Sequence, residues 1–136
     1  MFFEKALALW TQTVRIDAPG ASAKFTNSTF AGNLAAKGGG TYNQNGLVQL
    51  QFCTFVGNAA THGGAIDDES TRPDGTSVNG TILAASGSGG NCDASLGNLA
   101  DGQTNISDDE SCGFVGTGPG ASSWATVSIR CSTRPA

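Results

Sequence analysis

Charge is the first thing this sequence has little of: only 13% of its 136 residues are Asp, Glu, Lys or Arg. Lys and Arg are nowhere clustered and the net charge is −4, so neither nucleic-acid phosphates nor an anionic membrane surface finds an electrostatic footprint. No apolar run approaches the roughly 18 residues of a membrane-spanning helix. None of the four cysteines forms a C-x2-C pair, which argues against structural zinc. A G-x-S-x-G elbow is missing, and His62, the one histidine, has no placed serine beside it, so the parts list for nucleophilic catalysis is thin. Lys37-Gly38-Gly39-Gly40 is followed by no helical pattern and therefore lacks the strand–loop–helix setting of a phosphate loop. Helical periodicity between the short strand patterns is absent too, which excludes βαβ units and helical solenoids.

Glycine is abundant instead. The 20 glycines are about twice the average usage of roughly 7% and call for many tight turns. A shift of twenty-five residues lays the chain on itself: Phe30-Ala31-Gly32-Asn33 falls on Phe55-Val56-Gly57-Asn58, and Gly38-Gly39-Gly40 on Gly63-Gly64-Ala65. A repeat of this length is one supersecondary unit that buries its apolar face only by stacking on copies of itself. Three rounds are legible. The first runs from Lys24 through Phe30 to Tyr42, the second from Leu47 through Phe55 to Ile66, and the third, degenerate one through Val78 to Ala84. The loop from Asp67 to Gly75 lengthens the last round by about two residues, which puts Ile82 in an inward ladder with Phe30 and Phe55. Asn33 and Asn58 are expected to stack at a turn, where an amide bonds to the coils on either side.

The expected fold is all-β: a small right-handed parallel β-helix of three to four coils in a single domain, 1–136. Residues 1–23 are read as an N-terminal cap and first strand, 24–114 as coils, and 115–136 as an atypical tail. Phe3, Leu7 and Trp10 have the spacing of a short helical or irregular cap, interrupted by Glu4 and Lys5 in a way that a signal peptide is not. Cys92 and Cys112 flank a glycine- and asparagine-rich segment. A disulfide there closes a loop of about twenty residues, worth about 3 kcal/mol. Cys53 lies in a strand pattern and reads as a small buried hydrophobe, and Cys131 as a free thiol in the tail.

Phe-x-Gly-Asn followed by Gly-Gly-x-Ile or Gly-Gly-x-Tyr resembles the repeats of right-handed parallel β-helix proteins of bacterial surfaces, including polymorphic outer-membrane-protein and pectin-lyase-like domains. Asn79-Gly80-Thr81-Ile82-Leu83-Ala84, Gly90-Asn91-Cys92 and Ser111-Cys112-Gly113-Phe114 are similar to the end of such helices. The resemblance covers about Lys24 to Phe114 and speaks for fold more than activity, because this architecture carries adhesins, lyases and hydrolases alike. It implies a parent protein that is exported or displayed on the cell surface. After Gly120 the pattern is lost. One set of codons for the tail, read in a shifted frame, restores an acidic, leucine-containing stretch, so a fragment with a frame-shifted end is the expectation, and the coding DNA decides it.

Two functional readings follow. The first is a non-catalytic segment of a surface or adhesin-like protein that presents a rigid face to glycans or protein partners. The alternative is a small hydrolase or lyase of pectin-lyase-like ancestry. Its candidate residues lie in His62-Gly63-Gly64-Ala65-Ile66-Asp67-Asp68-Glu69. Alternation sends Asp67 and Glu69 to one face and Asp68 to the other. Paired carboxylates divide acid and base roles in glycoside cleavage, and His62, Asp67 and Glu69 form the candidate ligand set for a divalent metal, although no cofactor is required. The plainer reading of this run is a solvated edge whose charges prevent strand-to-strand aggregation. Asp108-Asp109-Glu110 reads as a solvated turn, and Cys53 with His62 as a buried thiol near an unrelated ring. Three N-x-S/T sequons begin at Asn27, Asn79 and Asn105 and are matched by chance in so Asn- and Thr-rich a chain. Apolar side chains near both termini, including Phe2, Phe3, Leu9, Trp124, Val127 and Ile129, suit end caps or a homodimer joined through terminal segments.

Overall fold

The computed structural model describes residues 8–10, 13–97 and 99–114. Cys131 and the apolar tail residues proposed for dimerisation lie outside these, as do Phe2, Phe3 and Leu7 of the expected cap. The described residues hold thirteen short strands and no helix. Strands of this length cannot bury an apolar face alone, and each pairs in parallel with its counterpart one turn along the chain.

Three parallel sheets result. One carries β1 (Ala8–Trp10), β4 (Thr29–Ala31), β7 (Thr54–Val56), β10 (Ile82–Ala84) and β13 (Ile106–Ser107) in that order. A second carries β2 (Val14–Ile16), β5 (Thr41–Asn43), β8 (Ile66–Asp68) and β11 (Cys92–Asp93), and the third β3 (Ser22–Thr26), β6 (Leu47–Gln51), β9 (Thr76–Asn79) and β12 (Leu99–Asp101). The chain is a parallel β-solenoid of about four turns. Its winding reaches back into the segment read as a cap, since Ala8–Trp10 pairs with Thr29–Ala31 and Val14–Ile16 with Thr41–Asn43.

The interior is a set of ladders. Phe30 and Phe55 are fully buried and stack face to face, ring centroids 4.4 Å apart, while Phe25 meets Phe30 edge-on at 5.3 Å. Val48, Leu50, Val78 and Leu83 continue this core. Ile82, expected inward, is 41% exposed, and Leu83 takes the place below Phe55. The reason is register. Asn33 and Asn58 are separated by 25 residues, whereas Cys53 and Thr81 are bonded across 28, so the loop before β9 inserts three residues rather than two. One residue of slip turns every side chain of a strand over.

Asn33 and Asn58 form the expected amide ladder. Asn58 Oδ1 accepts from both the backbone N–H and Nδ2 of Asn33 at 3.0 Å, and its Nδ2 donates to the Phe30 carbonyl at 2.9 Å. Asn91, which stacks over Ala65 rather than over Asn58, donates to the Leu83 carbonyl within its own coil at 3.2 Å. At the same corner coils approach so closely that a Cβ on Gly39 would lie 2.2 Å from the Gly64 carbonyl oxygen. At the other end of the core Phe114 is buried, and Cys92 and Cys112 form a disulfide with α-carbons 4.8 Å apart. Cys53 is buried and free, and burial raises its thiol pKa.

Candidate functional site

The second sheet builds the polar cluster. In its three-residue strands the middle residue points opposite to its neighbours. Val14, Thr41, Ile66 and Cys92 pair in one column, and Arg15, Tyr42, Asp67 and Asp93 in the next. Ile66 and Cys92 belong to the core. The Arg15–Tyr42–Asp67–Asp93 column therefore faces outward, and the turn residues beside it, Lys37 bridged to His62, fold against it.

Glu69 is the hub. Its Oε1 accepts from Lys37 Nζ, and its Oε2 accepts from the Tyr42 hydroxyl at 2.7 Å. Those two bonds hold the Glu69 carboxyl below its ordinary pKa, and the bond to Glu69 holds Lys37 above its own. Tyr42 is raised by burial and by the carboxylate it donates to. Cations flank its ring, with the Arg15 guanidinium carbon 5.3 Å and Lys37 Nζ 5.6 Å from the centroid. Arg15 also reaches Asp17 at 3.0 Å and Gln44 at 3.4 Å. His62 Nδ1 lies 3.1 Å from Asp93 Oδ2, and Asp93 is lowered mainly by hydrogen bonds from Ser95, with His62 adding to them.

Asp67 differs from all of these. Only 2% exposed, it has an Oδ2 that is buried without a hydrogen-bond partner. Burial first, then the neighbouring Glu69 and Asp93 charges, pushes its pKa up to about 6. Asp68 turns the other way and is fully buried, its carboxylate accepting from Asn43 Nδ2 at 3.1 Å and from the Ser70 N–H at 2.8 Å. That bonding makes Asp68 a brace for the loop that follows β8. A cavity of about 490 Å3, lined by Thr13, Arg15, Ala35, Ala36, Lys37 and Tyr42, adjoins the cluster.

The four residues singled out in the sequence are thus divided. Asp67 and Glu69 share the outer cluster, His62 meets it through Asp93, and Asp68 is in a separate buried network. The metal set is dispersed among other partners: Glu69 is occupied by Lys37 and Tyr42, and His62 by Asp93. Among the described residues no group of three or more His, Cys, Asp and Glu side chains is arranged to hold a metal ion. Lys37, Tyr42 and Asp93, central to the geometry, are not among the candidate site residues read from the sequence. The repeat itself points to two of them, because the shift that superposes the glycines also lays Lys37 on His62 and Tyr42 on Asp67.

No protein-family model, no curated protein and no solved structure matches the chain. The resemblance to bacterial surface β-helices rests on its repeat residues alone.

Proposed function

We propose that this chain is a non-catalytic β-solenoid segment of a surface or adhesin-like protein, holding a glycan on a rigid lateral face. One observation carries the non-catalytic part of the reading: the acidic cluster is closed on itself. Both oxygens of Glu69 are bonded to Lys37 and Tyr42, Asp68 is fully buried, and Asp67 is sealed at 2% exposure. A general acid or base must come within hydrogen-bonding reach of the atom it serves, and here Glu69 is taken up by Lys37 and Tyr42, Asp68 by Asn43 and Ser70, while Asp67 is buried away from solvent. The Cys92–Cys112 disulfide fits an exported parent, since such bonds persist in oxidising compartments.

A hydrolase or lyase acting through Asp67, Asp68, Glu69 and His62 is the second reading. Asp67 at about 6 beside a Glu69 held ionised is the kind of separation that assigns acid and base roles. Retention of the purified protein on immobilised neutral and acidic polysaccharides, with product analysis of each, separates the two. Retention without new reducing ends or unsaturated products is the expected result. Product formation abolished by Asp67→Asn or Glu69→Gln establishes the enzyme.

A further inference from the structure

Opposite the acidic cluster, a single column of residues turns the chain from the third sheet into the first. Asn27, Phe52, Gly80 and Thr104 occupy it, with φ angles of 50°, 53°, 60° and 58°, and the Asn27, Phe52 and Gly80 N–H groups each bond to the next coil. Asn and Gly accept this left-handed backbone readily; a bulky aromatic does not. Phe52 is nevertheless the residue there, and it is 61% exposed while Phe25, Phe30 and Phe55 are wholly buried. Strain kept at a position that contributes nothing to the core points to a role outside folding.

The ring is also seated. A Cβ on Gly80 would lie 2.6 Å from Phe52 Cδ1, so the ring rests against a coil whose side chain has been removed to admit it, and much of the ring stays open to solvent. Its nearest neighbours are mostly uncharged hydrogen-bonding groups, with Lys24 of β3 and Asp101 of β12 at the margins and Ile82 exposed in the adjoining first sheet. Positions 25–28, 51–54 and 79–82 contain no Asp, Glu, Lys, Arg or His. Thr26, Gln51 and Asn79 lie in neighbouring coils of the third sheet, Gln51 paired with both of the others, and Thr104 reaches Asn79 Oδ1 at 3.4 Å.

We infer that Phe52 is a stacking platform for one ring of a neutral saccharide, with Asn27, Gln51, Asn79 and Thr104 serving its hydroxyls. A sugar ring offers an apolar C–H face and a rim of donors and acceptors. A flat exposed aromatic bordered by amides and hydroxyls complements both, on a scaffold rigid enough to lose little freedom on binding. Lys24, two positions before Thr26 on the same face of β3, is a single cation at the edge of this patch. The exposed Ile82 and Ile106 continue the apolar surface along the first sheet beside the ring rather than around it, short of the broad apolar centre of a protein interface. This inference rests on the glycan-binding reading and names its site and ligand class.

The test is calorimetric titration of the full chain with uncharged oligosaccharides of glucose and of xylose, with oligogalacturonate as the charged control. Wild type and the Phe52→Trp variant are expected to bind at least one uncharged ligand. Phe52→Ala and Phe52→Gly are expected to bind it roughly tenfold more weakly or worse. Phe52→Gly keeps or raises the melting temperature because Gly relieves the backbone strain, and Phe52→Ala, which keeps the same strained Cβ and loses only an exposed ring, leaves it nearly unchanged. Undiminished binding by Phe52→Ala overturns the platform and leaves the glycan-binding reading standing on another face. Binding of oligogalacturonate alone also overturns it, and moves the ligand to the groove of Arg15 and Lys37. No binding by wild type overturns both.

Discussion

Asp67→Asn tests the electrostatics of the cluster. In the folded chain the Asp67 carboxyl titrates at about 6 rather than an ordinary 3.8. Between these values the native state binds a proton that the unfolded chain has released, so stability falls as pH rises through the window. The contribution is fully present below about pH 4 and is lost by about pH 6 to 7. At about 1.4 kcal/mol for each pH unit, the rise from 3.8 to about 6 sets a ceiling of about 3 kcal/mol. Solvent screening at the rim of the cluster reduces this to about 1–2 kcal/mol, the attractions of Lys37 and His62 being already contained in the value of about 6. Glu69 and Asp93, whose pKa values are lowered, act in the opposite sense. Their stabilisation is present at neutral pH and is lost as pH falls below about 4. Asn is nearly isosteric, cannot ionise, and offers an N–H2 toward the neighbouring carboxylates. Urea denaturation followed by circular dichroism at a series of pH values should show a wild-type decline between about pH 4 and 6 that the variant lacks. At about pH 8 the variant should be more stable by about 1–2 kcal/mol. An unchanged slope, or a variant less stable at every pH, would refute the account of Asp67 as an uncompensated carboxyl.

Three further outcomes are expected. Phe55→Ala removes one ring of the stacked pair and should cost about 3–5 kcal/mol as a large-to-small core change, read by denaturant midpoint. Leu83→Ala should cost about 2–5 kcal/mol while Ile82→Ser stays within about 1 kcal/mol; the reverse ranking would restore the register in which Ile82 points inward. Replacing Cys92 and Cys112 together by Ser should lower stability by about 3 kcal/mol, since the bridge spans 20 residues, and equal stability of the oxidised and reduced protein would contradict it.

Most of the architecture is legible in the sequence because the stacking contacts are themselves periodic. Phe30 on Phe55 and Asn33 on Asn58 pack like on like, so a shift of the sequence displays the contact. Legibility fails where the period breaks. The loop between β8 and β9 adds three residues, and in a strand with a side-chain period of two, a miscount by one exchanges Leu83 for Ile82. The candidate site is legible in its residue types but not in its wiring. Asp67 and Asp68 are adjacent and chemically identical, yet one lacks a partner for Oδ2 and the other braces a loop through Asn43 and Ser70. The partners that decide this come from neighbouring coils, and composition says nothing about them. Phe52 looks in the sequence like one more strand aromatic beside Phe55. Only the backbone angle and the open ring separate the two.

The central claim, a rigid solenoid that holds a glycan without cutting it, is tested most directly by the mass of the ligand after binding. The protein is incubated for a long period with an oligosaccharide it retains, the complex is isolated, and the released sugar is analysed by mass spectrometry. The account predicts that the sugar is recovered at its starting mass. Shortened fragments carrying an added water, or fragments with an unsaturated end, would show that the carboxylates around Asp67 open to substrate, and would contradict it.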